Sequence, residues 1–167
     1  MLTNADIKVK NFIATGKEYN HSTAVIGKVL SIGNVDQEFE QVYCECEESF
    51  EWFFKDSYCG IPITFDILVN YCGFEKPIIG SLKRVKTTFA NWESIELSEN
   101  NDAPGLWYFS FRQGDYEAKN QLHKNDFVFL RRDIKYVHEL QNLYFFLIGK
   151  ELELDLLTYN NDTIKTR

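Results

Sequence analysis

The sequence predicts an α+β fold. A small curled β-sheet or SH3-like barrel comes first, then a short helix, then an antiparallel β-meander covered by a C-terminal helix. Three observations carry this expectation. Residues 134–152 (IKYVHELQNLYFFLIGKEL) hold one apolar stripe at helical spacing. Residues 41–47 (QVYCECE) alternate strictly, as a half-buried strand does. Between 92 and 132, apolar segments of strand length are separated by turn signals, the order expected of hairpins.

Taken in order, residues 7–15 (IKVKNFIAT) read as a strand with a shift in its period. Residues 23–32 (TAVIGKVLSI) read as a second strand, where Gly27 signals a bulge or sharp bend, and Gly33-Asn34 signals a turn. In 41–47, Val42, Cys44 and Cys46 share one face, opposite Tyr43, Glu45 and Glu47. Residues 50–54 form a short aromatic strand, and 57–60 turn the chain. Pro62-Ile63-Thr64 opens a helix of about 8–10 residues, a common length class. Thr64 is its cap, Phe65, Leu68, Val69 and Cys72 form one face, Gly73 ends it, and Phe74 folds back.

The meander follows as strands at 82–90, 92–97, 106–112 and 125–132, with 99–105 (ENNDAPG) as a mobile turn. In the last helix, Tyr136, Val137, Leu140, Leu143, Tyr144, Leu147 and Ile148 form the stripe, with Leu143 at its centre. Asp133 suits the positive end, and Gly149 supplies the left-handed stop. Residues 152–157 add an edge strand, and 158–167 form a polar tail. The expected organisation is one compact domain over 1–157, with 7–60 barrel-like and 61–157 holding helix, meander and final helix.

At 167 residues the chain is long enough to bury a core without staples. Its 14 Phe and 9 Tyr favour strands and packed or adhesive faces and argue against disorder. With 25 acids against 18 bases, the net charge of −7 disfavours general binding to nucleic-acid phosphates. The opening MLTNADIKVK lacks an apolar core of the secretory type, and no run approaches the ~20 apolar residues of a membrane span. The expected location is therefore the cytoplasm, with Cys44, Cys46, Cys59 and Cys72 as reduced thiols.

Phosphate-loop, dinucleotide, nucleophile-elbow and HExxH motifs are absent from the sequence. His21, His123 and His138 are scattered, and Cys44-x-Cys46 is not the spacing of a zinc knuckle, so neither metal nor cofactor is expected. A nucleophilic Cys59 or Cys72 beside His123 or His138 competes with the plainer reading of buried apolar cysteines.

Two sets of residues stand as binding candidates. Lys83, Arg84, Lys86, Arg112, Arg131 and Arg132, with Trp92 and Trp107 as flat walls, suit a small anionic ligand such as a nucleotide. Arg131 and Arg132 split between strand faces, as do Lys83, Arg84 and Lys86, so one face gathers about three positive charges. The plainer reading is a solvated face that balances the acidic strands. His138, Gln141, Asn142 and Phe145 fall at i, i+3, i+4 and i+7 as a second helical row. They are read either as a partner-contacting row or as an ordinary polar flank that bonds neighbouring loops or water.

The same C-terminal stretch carries a resemblance. Val137-His138, Leu140 to Phe145, Leu147, Gly149 and Glu151-Leu152 resemble the signature of a family of small uncharacterised proteins of Bacteroidetes phages, prophages and mobile elements, of the form VHQLQNLYFALTGEEL. Ile61-Pro62-Ile63-Thr64, Leu68 and Gly73-Phe74 are similar to its proline-led segment, so the resemblance spans most of the chain. Glu139, Phe146, Ile148 and Lys150 depart from that form. The resemblance implies an origin and no catalytic residues. The expected function is that of a non-enzymatic accessory protein holding a host macromolecule or small ligand, with counter-defence as one role. A homo-oligomer is compatible with this. The alternatives are sequestration of a nucleotide immune signal at the basic–aromatic set, and a small metal-dependent hydrolase or nuclease.

Overall fold

The structure, a computed structural model, describes residues 7–16, 20, 24–35, 39–54, 57–76, 84–88, 93–113, 127–154, 156–157 and 159. At 34–35, 39–40, 84, 88, 93, 112–113 and 127–131 the description stops at the backbone. Two antiparallel sheets and few helices make up this α+β chain. It forms two compact units. One comprises Met1–Pro62 with Tyr136–Arg167, and the other is Ile63–Lys135. Among the described residues no helix is long and apolar enough to cross a membrane.

The first unit contains β1 (Phe12–Thr15), β2 (Ile26–Val35), β3 (Phe39–Cys46), β4 (Phe50–Phe54), β5 (Tyr58–Cys59) and α1 (Val137–Ile148). The strands lie in the order β4-β3-β2-β1-β5, with every pair antiparallel. The alternation of β3 works as expected: Val42, Cys44 and Cys46 are buried with Ile7, Ile13, Val29, Phe53 and Tyr58. Gly27 serves this core by close approach rather than by a bend. A Cβ there would stand 2.8 Å from Cys44 Cβ. The bulge lies between Val29 and Ser31, where Leu30 turns to solvent. Gly33 and Asn34 continue β2, paired with Gln41 and Glu40, instead of turning. The shift of period before β1 is a turn in which Lys10 takes a left-handed φ of 74°.

Helix α1 differs from expectation in start, rotation and place. Asp133 and Ile134 belong to a strand, and the cap is Tyr136, whose N–H donates to the Glu139 carboxylate at 2.9 Å. Gly149 ends the helix in the left-handed conformation, with φ 72°, as expected. The buried positions are Val137, His138, Leu140 and Gln141, while Leu143, Tyr144, Leu147 and Ile148 are only half-buried. The apolar stripe therefore does not face inward along its length. The cause is Gln141, whose Oε1 accepts the Phe12 N–H at 3.0 Å and whose amide donates to the Lys10 carbonyl at 3.1 Å. Beside it, Asn11 donates to Asn142 Oδ1 at 3.2 Å. These bonds dock α1 on β1, in the unit of the first sheet, rather than making it the expected cover of the meander. The exposed Lys10–Glu151 pair at 3.5 Å adds little.

Within this unit Val137 N–H donates to the Ile61 carbonyl at 2.9 Å, and Pro62 pairs with Tyr136. The Tyr136 ring fills the space over Gly60, where a Cβ would come within 2.6 Å of it. Residues 151–154 and 156–157 hold no strand. Leu152 and Leu156 are buried from irregular backbone instead of forming the expected edge.

The second unit contains a helical turn at 65–71, of which Ile67–Tyr71 is π-helical, and β6 (Arg84–Thr88), β7 (Glu93–Glu99), β8 (Trp107–Gln113) and β9 (Phe127–Ile134). Thr64 caps the helical turn as expected, its Oγ1 accepting the Ile67 N–H at 3.1 Å. Cys72 N–H reaches back five residues to the Ile67 carbonyl, Gly73 follows with φ 69°, and Phe74 is buried. The strands form the expected meander β6-β7-β8-β9. Val85, Ile95, Leu97, Trp107, Phe109 and Ile134 are buried in it. The loop between β7 and β8 is tied down internally: Asn100 N–H donates to the Leu106 carbonyl at 2.8 Å, and Gly105 N–H to Glu99 Oε1 at 3.1 Å.

Candidate functional site

The basic–aromatic set is only partly brought together. Lys83 and Trp92 lie outside the described residues. Arg84 and Lys86, two residues apart on β6, pair with Ser98 and Glu96 of β7. Continuing across the sheet, Glu96 pairs with Ser110 and Ser110 with Arg131, so Lys86–Glu96–Ser110–Arg131 forms one row. Arg112 stands opposite Ser94. Arg132 instead pairs with Phe109 in the apolar row of Val85 and Leu97, and is exposed there. A carboxylate-bearing residue thus stands between the basic members of the row, and Glu96 is itself buried.

Trp107 offers no wall to a ligand. It is 1% exposed and its indole N–H donates to the Ile63 carbonyl at 3.1 Å. The reason is alternation: Trp107 and Phe109 point the same way, into the core of this unit.

The helical row also divides. His138 and Gln141 are buried, so they are not a surface for a partner. His138 stacks on Tyr136, with ring centroids 5.7 Å apart, and Gln141 and Asn142 bond to the β1 region. Only Phe145 of the four is exposed, beside Phe146.

Three of the thiols, Cys44, Cys46 and Cys72, are held towards the protonated form. Burial pushes Cys72 up to about 12, and burial with the neighbouring Cys46 pushes Cys44 to about 12, so both stay protonated. Cys46 is raised by burial and by Glu51. None of the four cysteines is joined in a disulfide. His123 lies outside the described residues, and among those described no three His, Cys, Asp or Glu residues gather as a metal site.

A different feature stands out in the first unit. Phe50, Trp52 and Phe54 alternate along β4 and are 61%, 51% and 53% exposed, while Phe53 between them enters the core. Their partners on β3 are Glu45, Tyr43 and Gln41. Tyr43 lies 4.9 Å from Trp52 and 6.2 Å from Phe50 between ring centroids, the latter pair stacked at 25°. The Trp52 ring reaches over Gly33 of β2, where a Cβ would stand 3.7 Å from it. The aromatic strip therefore spans three strands on the sheet face opposite the buried Val42, Cys44 and Phe53.

Sequence reasoning found the aromatic strand but not its exposure, because FEWFF is aromatic at every position but Glu51 and its alternation is broken by Phe53-Phe54. The signal that could have found it is the neighbouring strand. Cys44 and Cys46 fix the inner face of β3, so Tyr43 must face outward, and antiparallel pairing then turns Trp52 outward with it. Comparison with protein-family models, with curated proteins and with solved structures finds no match to this chain.

Proposed function

We propose that this chain is a non-enzymatic binding protein and that the aromatic strip of β3 and β4 is its contact face. The observation that carries the reading is the exposure of Phe50, Trp52 and Phe54 along one edge strand. Exposed aromatics scattered singly are ordinary, but three in one line with Tyr43 stacked against them form a contiguous apolar surface of the kind that marks interaction sites. Aromatic side chains bring large contact area at small conformational cost, which is why they anchor interfaces. β4 is the terminal strand of its sheet, and the Phe54 carbonyl there accepts from Ser57 Oγ at 2.7 Å.

The strand order, with β1 between β2 and a short β5 that returns after the β2–β3–β4 meander, is consistent with an SH3-like curl. Such curls host many functions, so the face rather than the fold carries the proposal. The likeness to proteins of phages and mobile elements supports a host macromolecule as the bound species, within the cytoplasm of a bacterial host, with counter-defence as its outcome.

The test is site-specific photo-crosslinking in cells. A photoreactive phenylalanine at position 50 or 54 should give discrete adducts, and one at position 86 on the other sheet should not. Adducts at 86 but not at 50 or 54 would move the contact to the basic row of β6, in line with capture of an anionic ligand. An absence of adducts at 50 and 54 would remove this face from the reading.

A further inference from the structure

The ring face of β2, β3 and β4 is charge-balanced, and its pattern reads alike in both directions. Three rows cross it. Lys28 pairs with Glu45 and Glu45 with Phe50; Ser31 with Tyr43 and Tyr43 with Trp52; Gly33 with Gln41 and Gln41 with Phe54. Lys28 and Glu45 are the charged members of these rows, opposite in sign and side by side. Glu51 pairs with Cys44 and faces away from the rings. The face therefore selects neither a basic nor an acidic ligand.

We infer that two copies of this chain close their strips on each other, sheet face to sheet face, about a two-fold axis through the Tyr43–Trp52 row, and that a partner reaches the strip by parting them. The inference rests on the strip as contact face and adds the state of that face before a partner arrives. In a two-fold interface each residue meets its counterpart reciprocally. Reversing strand direction about the middle row lays Phe50 on Phe54 of the second copy and Trp52 on Trp52. It also lays Glu45 on Gln41 of the second copy, where a carboxylate accepts and an amide donates, and symmetry repeats the pair. The other two-fold arrangement, with strands running the same way, would set Glu45 on Glu45, and like charges across an interface are unfavourable.

An unrelated partner requires no symmetry in the strip, whereas this strip has it. The spacing Phe-x-Trp-x-Phe is the same from either end. The three rings are exposed to nearly equal extents, 61%, 51% and 53%. Donor-bearing Gln41 and acceptor Glu45 stand equally far on either side of Tyr43. Contact is by face rather than by edge because Ser57 Oγ already donates to the Phe54 carbonyl at the margin of β4.

The size of the strip sets the strength. A fully covered aromatic side chain buries ~150–250 Å², so three half-exposed rings offer roughly 300 Å² per copy. The pair stays below the ~1,200–2,000 Å² of stable interfaces, so it is weak and reversible. The net charge of −7 on each copy opposes it further, and pairing should tighten as salt screens that repulsion.

The experiment is sedimentation velocity of the purified full chain from about 10 μM to about 1 mM, the range of weak association. A monomer–dimer equilibrium should appear. Trp52→Ala should weaken it by about tenfold or more, as loss of a central aromatic anchor does. Gln41→Glu should weaken it by setting carboxylate on carboxylate, and Gln41→Lys should strengthen it. Should Trp52→Ala fail to fold, the opposite responses at position 41 decide. A photoreactive phenylalanine at position 54 of the purified chain should cross-link copy to copy near Phe50.

A monomer throughout, a dimer indifferent to Trp52→Ala or to both changes at position 41, or copy-to-copy adducts near Phe54 instead of Phe50 would each overturn the inference. Host adducts at 50 and 54 in cells, with no dimer of the purified chain, would overturn it and leave the contact face standing. A dimer with these responses and no host adducts would uphold the pairing and end the host reading.

Discussion

Gln141 uses both ends of its amide on the backbone of one short segment, accepting from Phe12 N–H and donating to the Lys10 carbonyl. β5 pairs only with Ala14 and Thr15, so the side chain serves as a partner where the neighbouring strand has ended. Gln141→Leu keeps a similar volume and leaves both groups without that partner. It should cost about 1–3 kcal/mol for each group left buried and unsatisfied, read as a shift in the urea midpoint. An effect within the surface range of about 0.5 kcal/mol would show that water replaces the amide. Polarity misled the sequence reading here: a glutamine beside an apolar stripe looks like a solvated flank, and nothing local shows that its amide serves a strand far away in the chain. A second residue-scale consequence concerns Cys72. The unfolded chain loses this thiol proton near the ordinary value of 9.0, whereas the folded chain holds it to about 12. The unfolded state therefore binds fewer protons between those values, and stability, fully present below about pH 9, falls as pH rises towards 12. Denaturant titrations across that window should show a shallower decline in Cys72→Ala than in the unaltered chain.

At the scale of elements, α1 shows how a period can be right and its phase wrong. The stripe at 3.6 spacing and the stop at Gly149 were legible, but the inward face is set by Val137, Leu140 and Gln141 rather than by Leu143. Leu140→Ala should cost about 2–5 kcal/mol through lost burial and a residual cavity. Leu143→Ala, at a half-buried position, should cost less, and thermal unfolding of the two variants side by side decides the rotation. Larger loss in Leu143→Ala would turn the helix back to the face its apolar stripe suggests. Strands were legible where alternation had a buried partner to enforce it, as for Val42, Cys44 and Cys46 or the meander of β6 to β9. They were not where turn residues lie within a ladder, as Gly33 and Asn34 do in β2. Nor were they where apolar residues are buried from irregular backbone, as Leu152 and Leu156 are. The Thr64 cap, Gly73 and Phe74 were readable because each acts on residues a few positions away.

For the whole molecule, the arrangement is an insertion: one unit, Ile63–Lys135, interrupts the sequence of the other. Both sets of cut ends are paired within their own unit. Pro62 pairs with Tyr136 in one, and Ile63 N–H donates to the Lys135 carbonyl at 2.9 Å in the other. Joining Pro62 to Tyr136 through a short glycine linker should therefore give a first unit that folds cooperatively, since domain insertions are tolerated where termini lie close together. Circular dichroism and a sigmoidal melt would check it; a chain that stays unfolded would show that the first unit depends on the inserted one. The sequence showed the two β regions but not the crossing-over of α1, because the bonds that recruit it span 129 residues. That span has a consequence for the order in which the protein is made. Synthesis runs from the N-terminus, so Phe12 leaves the ribosome long before Gln141 exists. During that interval the segment entering β1 is an incomplete edge, with the Phe12 amide and the Lys10 carbonyl left to water. The inserted unit is contiguous and is made in full before Gln141, so the sheet made earliest gains its last partner only when α1 arrives. Slow synthesis between Phe12 and Gln141 would lengthen the time for which that edge is open to pairing with other nascent chains.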